Sequence, residues 1–112
     1  MGISAILDAL ERWAGQRPGA VAIRNTQVVL SYAQLYRAVE ELAASLSGRV
    51  LGLLTDDGPA WTIVDLAAQS RTITCVPLPS FFTDQQLAHA IHDAGIDVII
   101  TDDPGRVNTL CT

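Results

Sequence analysis

Apolar residues in the middle of this chain fall in short unbroken runs, not in alternation with polar ones. Val50-Leu51-Gly52-Leu53-Leu54 is the first run, Thr72-Ile73-Thr74-Cys75-Val76-Pro77-Leu78 is a second, β-rich one, and Val98-Ile99-Ile100-Thr101 is the third. A strand without alternation is covered on both faces, which is the habit of parallel sheets in α/β folds. Two helix-period segments of about a dozen residues separate the runs, the length that parallel crossovers need. Val50 to Asp103 therefore reads as a βαβαβ parallel-sheet unit, and the fold class as α/β.

The segments before this unit read as an N-terminal helix, a short β-hairpin and a second helix. Over residues 4–15, Ile3, Ile6, Leu7, Leu10, Trp13 and Ala14 share one stripe, while Asp8, Glu11 and Arg12 face away. Gly15 and Pro18 stop that helix. Ala20 to Leu30 gives two short strands around a turn at Asn25-Thr26-Gln27, which lacks glycine. Ser31 with Gln34 forms a capping box, and Leu30 against Leu35 a hydrophobic staple. Leu35, Val39, Leu42 and Leu46 form the buried stripe of the helix that follows, with Gly48 expected to close it in a left-handed conformation.

Within the unit, Asp57 or Gly58 caps a helix that runs to about Ser70, with Pro59 in its first turn. Trp61, Ile63, Val64, Leu66, Ala67 and Ala68 make this helix apolar almost all round, so it calls for covering on more than one side. The loop Pro77-Leu78-Pro79-Ser80-Phe81-Phe82 carries two large apolar residues, which either anchor it or await a partner. Thr83 or Asp84 caps a last helix that ends at Gly95. Residues 1–103 read as a single α/β subdomain and 104–112 as an irregular tail.

Composition removes several classes of function. All seven basic residues are arginines, scattered along a 112-residue chain of net charge −5. Without lysine there is no phosphate-loop lysine, Schiff base or lysine general base. The acidic balance and the lack of a basic stripe argue against a nucleic-acid partner. No apolar run reaches the ~18 residues of a membrane span. Met1-Gly2-Ile3-Ser4 has no basic segment ahead of an apolar one and Ile6 breaks a myristoylation pattern, so the expected address is the cytoplasm. Cys75 and Cys111 match no zinc spacing; the first reads as a buried small hydrophobe and the second as an incidental tail thiol.

Two constellations could carry chemistry. Asp56, Asp57, Asp102 and Asp103 fall at the carboxyl ends of predicted strands, where ligands sit in open α/β sheets. They read either as a Mg²⁺ site or as helix caps and turn residues, and the capping reading is the stronger. A phosphate there would be repelled. His89 and His92, with Asp93 or Asp84, could hold a metal, but no third strong ligand is near and a solvent-facing role fits better. No G-x-G-x-x-G, Walker, G-x-S-x-G or His-Glu-x-x-His motif occurs. No residue is assigned as catalytic, cofactor-binding or metal-binding.

Three segments, in order, resemble the N-terminal part of the adenylate-forming superfamily, which includes acyl- and aryl-CoA synthetases, luciferase-like enzymes and peptide-synthetase adenylation domains. Leu30-Ser31-Tyr32-Ala33-Gln34-Leu35 is similar to an "LTYxEL" motif. Trp61 to Val76, ending in Cys75-Val76-Pro77-Leu78-Pro79, is similar to "LLAxLKAGAVYVPLDP". Gln86-Leu87-Ala88-His89-Ala90-Ile91, followed by Asp93-Ala94-Gly95-Ile96 and Val98-Ile99-Ile100-Thr101, is similar to "ERLAYILEDSGAKVLLT". Gln69-Ser70-Arg71 departs from the usual Lys-Ala-Gly, and the run Pro79-Ser80-Phe81-Phe82 leans toward the acyl-CoA synthetases, away from an amino-acid-activating module. The resemblance implies a non-catalytic N-terminal scaffold fragment of an ATP-dependent acyl-activating ligase. It implies that the phosphate loop, adenine and ribose contacts and catalytic lysine lie downstream, so this chain alone would be inactive and would hold no cofactor. ATP, Mg²⁺ and possibly CoA would belong to the complete enzyme. The expected partner is the remainder of the ligase, or another copy, through Phe81, Phe82 and the Trp61 helix. The alternative is a stand-alone interaction module with the same fold and no chemistry, possibly homodimeric.

Overall fold

The computed structural model describes residues 5–110, with side chains from residue 7 onward. The expectations for Ile3, the Ile6 side chain and Cys111 lie outside the described residues. Helix α1 (Ala5–Gln16) precedes a hairpin of β1 (Val21–Arg24) and β2 (Val29–Ser31) and helix α2 (Tyr32–Ser45). There follow β3 (Val50–Leu54), α3 (Gly58–Ser70), β4 (Thr74–Pro77), α4 (Asp84–Ala94), β5 (Val98–Thr101) and α5 (Pro104–Leu110).

Strand β3 lies in the middle of a parallel sheet of order β4-β3-β5. The chain steps from β3 to one neighbour, then back across to the other. Right-handed crossovers therefore put α3 and α4 on opposite faces. Leu51 and Leu53 join the larger core with α1, α2 and α3, whereas Leu54 packs with Leu78 and Leu87 in a smaller core on the α4 side. Gly52 faces the smaller core, where an added Cβ would stand 2.9 Å from Leu78 Cδ1 and 3.0 Å from Ile96 Cδ1. Both faces of β3 are thus covered, which is why its sequence does not alternate.

Local chemistry accounts for the element ends. In the glycine-free hairpin turn, Asn25 Oδ1 accepts from the N–H groups of Gln27 (2.9 Å) and Val28 (2.7 Å). The side chain does the work a left-handed residue would otherwise do. The expected capping box of Ser31 with Gln34 forms on α2; of the two candidate caps for α4 it is Thr83 that serves, in a second capping box with Gln86. Asp57 caps α3, and Gly95, at φ 66°, ends α4. Asp97 accepts from the backbone N–H groups of Arg49 (3.0 Å) and Val50 (3.2 Å), fastening the start of β5 to the start of β3. Those N–H groups, Arg49's first, hold its carboxyl below the ordinary 3.8.

Three expectations need correction. Gly48 does not close α2; the C-cap is Leu46, in an extended conformation. The positive φ of Gly48, 97°, serves the loop into β3, where a Cβ would come within 2.6 Å of Asp97 Oδ1. The second strand starts at Thr74, not Thr72, because Thr72 is left-handed (φ 57°) and Ile73 N–H donates back to Ala68 O (2.9 Å). Residues 104–110 form α5 in place of an irregular tail. Asp103 Oδ1 accepts from Arg106 N–H (3.2 Å), Pro104 fills the first helical position, and Val107 and Leu110 pack on the smaller core.

Candidate functional site

The strand order creates a topological switch point between β3 and β5 at their carboxyl ends, the place where open α/β sheets take ligands. Three connections meet along this edge: the loop Thr55–Asp57 after β3, the loop Pro79–Phe82 after β4, and Asp102–Asp103 leading from β5 into the first turn of α5. Thr55 Oγ1 donates to Asp102 Oδ2 (3.0 Å) across the switch point. Ser80 Oγ lies 2.7 and 2.9 Å from the two oxygens of Asp56 and donates to that carboxylate. Asp57 caps α3 by accepting from Ala60 N–H (3.3 Å), and Asp103 caps α5.

Each of the four carboxylates is therefore engaged by a fold contact. The arrangement is capping and loop fastening, not a converging cage. Among the described residues, no group of three or more His, Cys, Asp or Glu could hold a metal ion. His89 pairs with Asp93 one turn along α4 (3.3 Å), both side chains largely in water, and His92 lies in the last turn. Asp84 faces Arg106 instead of the histidines. Cys75 is half-buried on β4; burial first, then the charge of Asp65, push its thiol pKa up, so it stays a neutral packing group near pH 7.

Sequence reasoning missed Arg106. Its guanidinium donates through Nε to Asp84 Oδ1 (2.9 Å), through Nη1 to Ser80 O (2.9 Å) and through Nη2 to Phe82 O. It thus grips the two carbonyls that flank Phe81. Phe82 packs into the smaller core and meets Phe81 edge-on, at 5.5 Å between centroids. Phe81 itself is 84% exposed. Trp61, in the first turns of α3 at the same sheet edge, is 36% exposed. The Asp103-Pro104 pair was the local sign of α5, but nothing local shows that Arg106 reaches back more than twenty residues.

A concavity lies on the side of the sheet that α1, α2 and α3 cover. It is an apolar groove of about 300 Å³ between α1, β1, α2 and α3, lined by residues that include Leu10, Trp13, Ala22, Ile23, Tyr32 and Leu66. Trp13 stacks on Tyr32 (6.0 Å), and the Arg17 guanidinium sits 4.7 Å from the Trp13 ring centre. The amphipathic stripe of α1 thus puts Leu10 in the core and Trp13 on the groove wall.

The family model described as "AMP-binding enzyme" matches residues 10–111, and the chain belongs to this family of adenylate-forming enzymes. Plipastatin synthase subunits C and A of Bacillus subtilis (strain 168) are each 30% identical to it over 101 residues. Those alignments cover 85% of this chain but 4% of each subunit. Among solved structures, VinN in complex with L-aspartate is similar at TM-score 0.85 and 19% identity, covering 96% of this chain and 30% of that one. The Klebsiella oxytoca NpsA N-terminal subdomain is similar at TM-score 0.75 and 24% identity, covering 88% and 28%. These likenesses carry the fold: the α/β architecture expected for the N-terminal part of an adenylate-forming enzyme is the one found. The lean of Pro79-Ser80-Phe81-Phe82 toward acyl-CoA synthetases finds no support, since both of these curated relatives are plipastatin synthase subunits.

Proposed function

We propose that this chain acts as a non-catalytic scaffold within an adenylate-forming ligase. The observation that carries the reading is the family match over residues 10–111, on a fold whose carboxyl-edge polar groups are engaged with one another. In this reading ATP and Mg²⁺ are bound by polypeptide other than this chain. The chain's own part is to hold the β3–β5 edge rigid and to offer Phe81, Phe82 and the Trp61 helix to the rest of the ligase.

For the acceptor, we infer a thiol on a carrier domain ahead of the thiol of coenzyme A. The support is the pair of plipastatin synthase subunits at 30% identity. A stand-alone interaction module with the same fold draws no support from the comparisons.

The test is pyrophosphate exchange. The chain alone, supplied with ATP, Mg²⁺ and amino or aryl acids, gives none. A chimera in which residues 10–111 replace the matching segment of the K. oxytoca NpsA N-terminal subdomain regains exchange. Exchange by the chain alone, or a folded chimera without exchange, would overturn the scaffold reading.

A further inference from the structure

We propose that the outer edge of β5 takes a further parallel strand, supplied by the ligase polypeptide that follows α5. This rests on the scaffold reading and adds to it a place, a direction and a kind of partner segment.

The parallel sheet has two outer edges, and they differ. On β4, Thr74 N–H donates to Arg49 O (3.1 Å), and just past the strand Leu78 N–H donates to Leu53 O (2.9 Å). Residues of a strand turn their backbone groups to alternate edges, so Cys75 and Pro77 are the ones that face away from β3. Pro77 has no N–H, and a ladder built beyond β4 would lack a bond there. Strand β5 carries no such stop. It pairs with β3 in an even register and, among the described residues, has no strand on its other side. Val98-Ile99-Ile100-Thr101 is β-branched throughout, with no charge, proline or bulge to discourage pairing. All four residues are only half-buried.

Handedness picks the same edge. The step from β4 to β5 crosses β3, with α4 on the face of the smaller core. Helix α5 leaves β5 and packs on that same face, through Val107 and Leu110 against the core of Leu54, Leu78 and Leu87. A right-handed crossover with its helix on that face continues in the direction already taken, outward past β5. A return to the far side of β4 would need α5 on the face that α1, α2 and α3 cover. The added strand thus lies parallel to β5 and about 4.8 Å beyond it. It makes β5, like β3, a strand paired on both sides, which suits its unbroken apolar sequence. The ligase reading supplies the polypeptide: this chain covers 30% of VinN and 28% of the NpsA subdomain.

Hydrogen exchange read by mass spectrometry tests this, on the native chain and on the chimera with the NpsA subdomain. In the native chain the amides of β5 are expected in two classes, those facing β3 slow and those facing outward fast. In the chimera the outward class slows at least tenfold. A native chain that is monomeric and already protected across all of β5 would overturn the proposal. So would a folded chimera whose outward β5 amides stay fast, or one that gains protection over β4 and none over β5. If the chimera does not fold, the same readout is taken on the native chain extended by the NpsA stretch that follows the matched segment, through its next strand; an unslowed β5 edge there overturns the proposal too. Pyrophosphate exchange keeps the two readings apart. An active chimera with an open β5 edge removes the added strand and leaves the scaffold, whereas a protected edge without exchange does the reverse.

Discussion

Replacing Arg106 with alanine removes the side chain that joins α5 to the Phe81 loop. Three donors are lost, and the carbonyls of Ser80 and Phe82 lose their partner at a part-buried position. Each hydrogen bond to a carbonyl has a net worth of about 1 kcal/mol. The bond to Asp84, whose side chain is 61% exposed, adds about 0–1 kcal/mol because water screens it. The expected loss is about 2–3 kcal/mol, or about 8–13 °C in melting temperature for a domain of this size. Arg106→Lys keeps the charge but not the planar fork, and should recover less than half of the loss. Thermal unfolding by circular dichroism gives the global number. Amide exchange at Ser80 to Thr83 shows whether the loop loosens first. A variant that melts within about 2 °C of the native chain, with unchanged exchange in the loop, would refute the reasoning. Water would then serve the carbonyls as well as the guanidinium does.

Asp97 has a pKa below the ordinary 3.8, so its folded form binds its proton less readily than the unfolded chain does. Its stabilisation is present above that ordinary value and is lost as pH falls through the lower, folded value; Asp97→Asn should flatten the acid limb of a plot of urea midpoint against pH. Gly48→Ala forces a side chain into φ 97° with its Cβ 2.6 Å from Asp97 Oδ1, and should cost about 2 kcal/mol in urea unfolding. Leu87 is fully buried in the smaller core, so Leu87→Ala should cost about 2–5 kcal/mol by the same measurement.

What the sequence discloses here is what local chemistry decides. Ser31 with Gln34, the Thr83-Asp84 pair, and Gly95 signal helix ends through neighbours at most four residues away; α2 starts and α4 ends where expected, and Thr83 is the one of its pair that caps α4. Unbroken apolar runs announced the parallel sheet, most plainly in β3, where burial on two faces leaves that trace; β4 and β5, at the edges, are at most half-buried. Apart from the local turns at Gly48 and Thr72, the misses are long-range or too short to show a period. Asp97 acts on Arg49 and Val50, and Arg106 on Ser80, Phe82 and Asp84, through separations that no local pattern records. Helix α5 has seven residues, too few for an apolar stripe to repeat. The over-apolar α3 is explained in part: Val64, Leu66, Ala67 and Ala68 are buried in the larger core, while Trp61 reaches the sheet edge and water.

The sheet is upholstered unevenly. Among the described residues, twelve buried ones make up the core on one face and three that on the other, where α4 and α5 lie. Opening of a folded chain begins where fewest apolar atoms must be wetted. The α4–α5 flap should therefore lift as a unit while α1, α2, α3 and the strand they back stay closed. A protease would enter at the C-terminal third, and Phe81, moored by Arg106 to that same flap, would lose its fixed bearing at the moment the flap lifts.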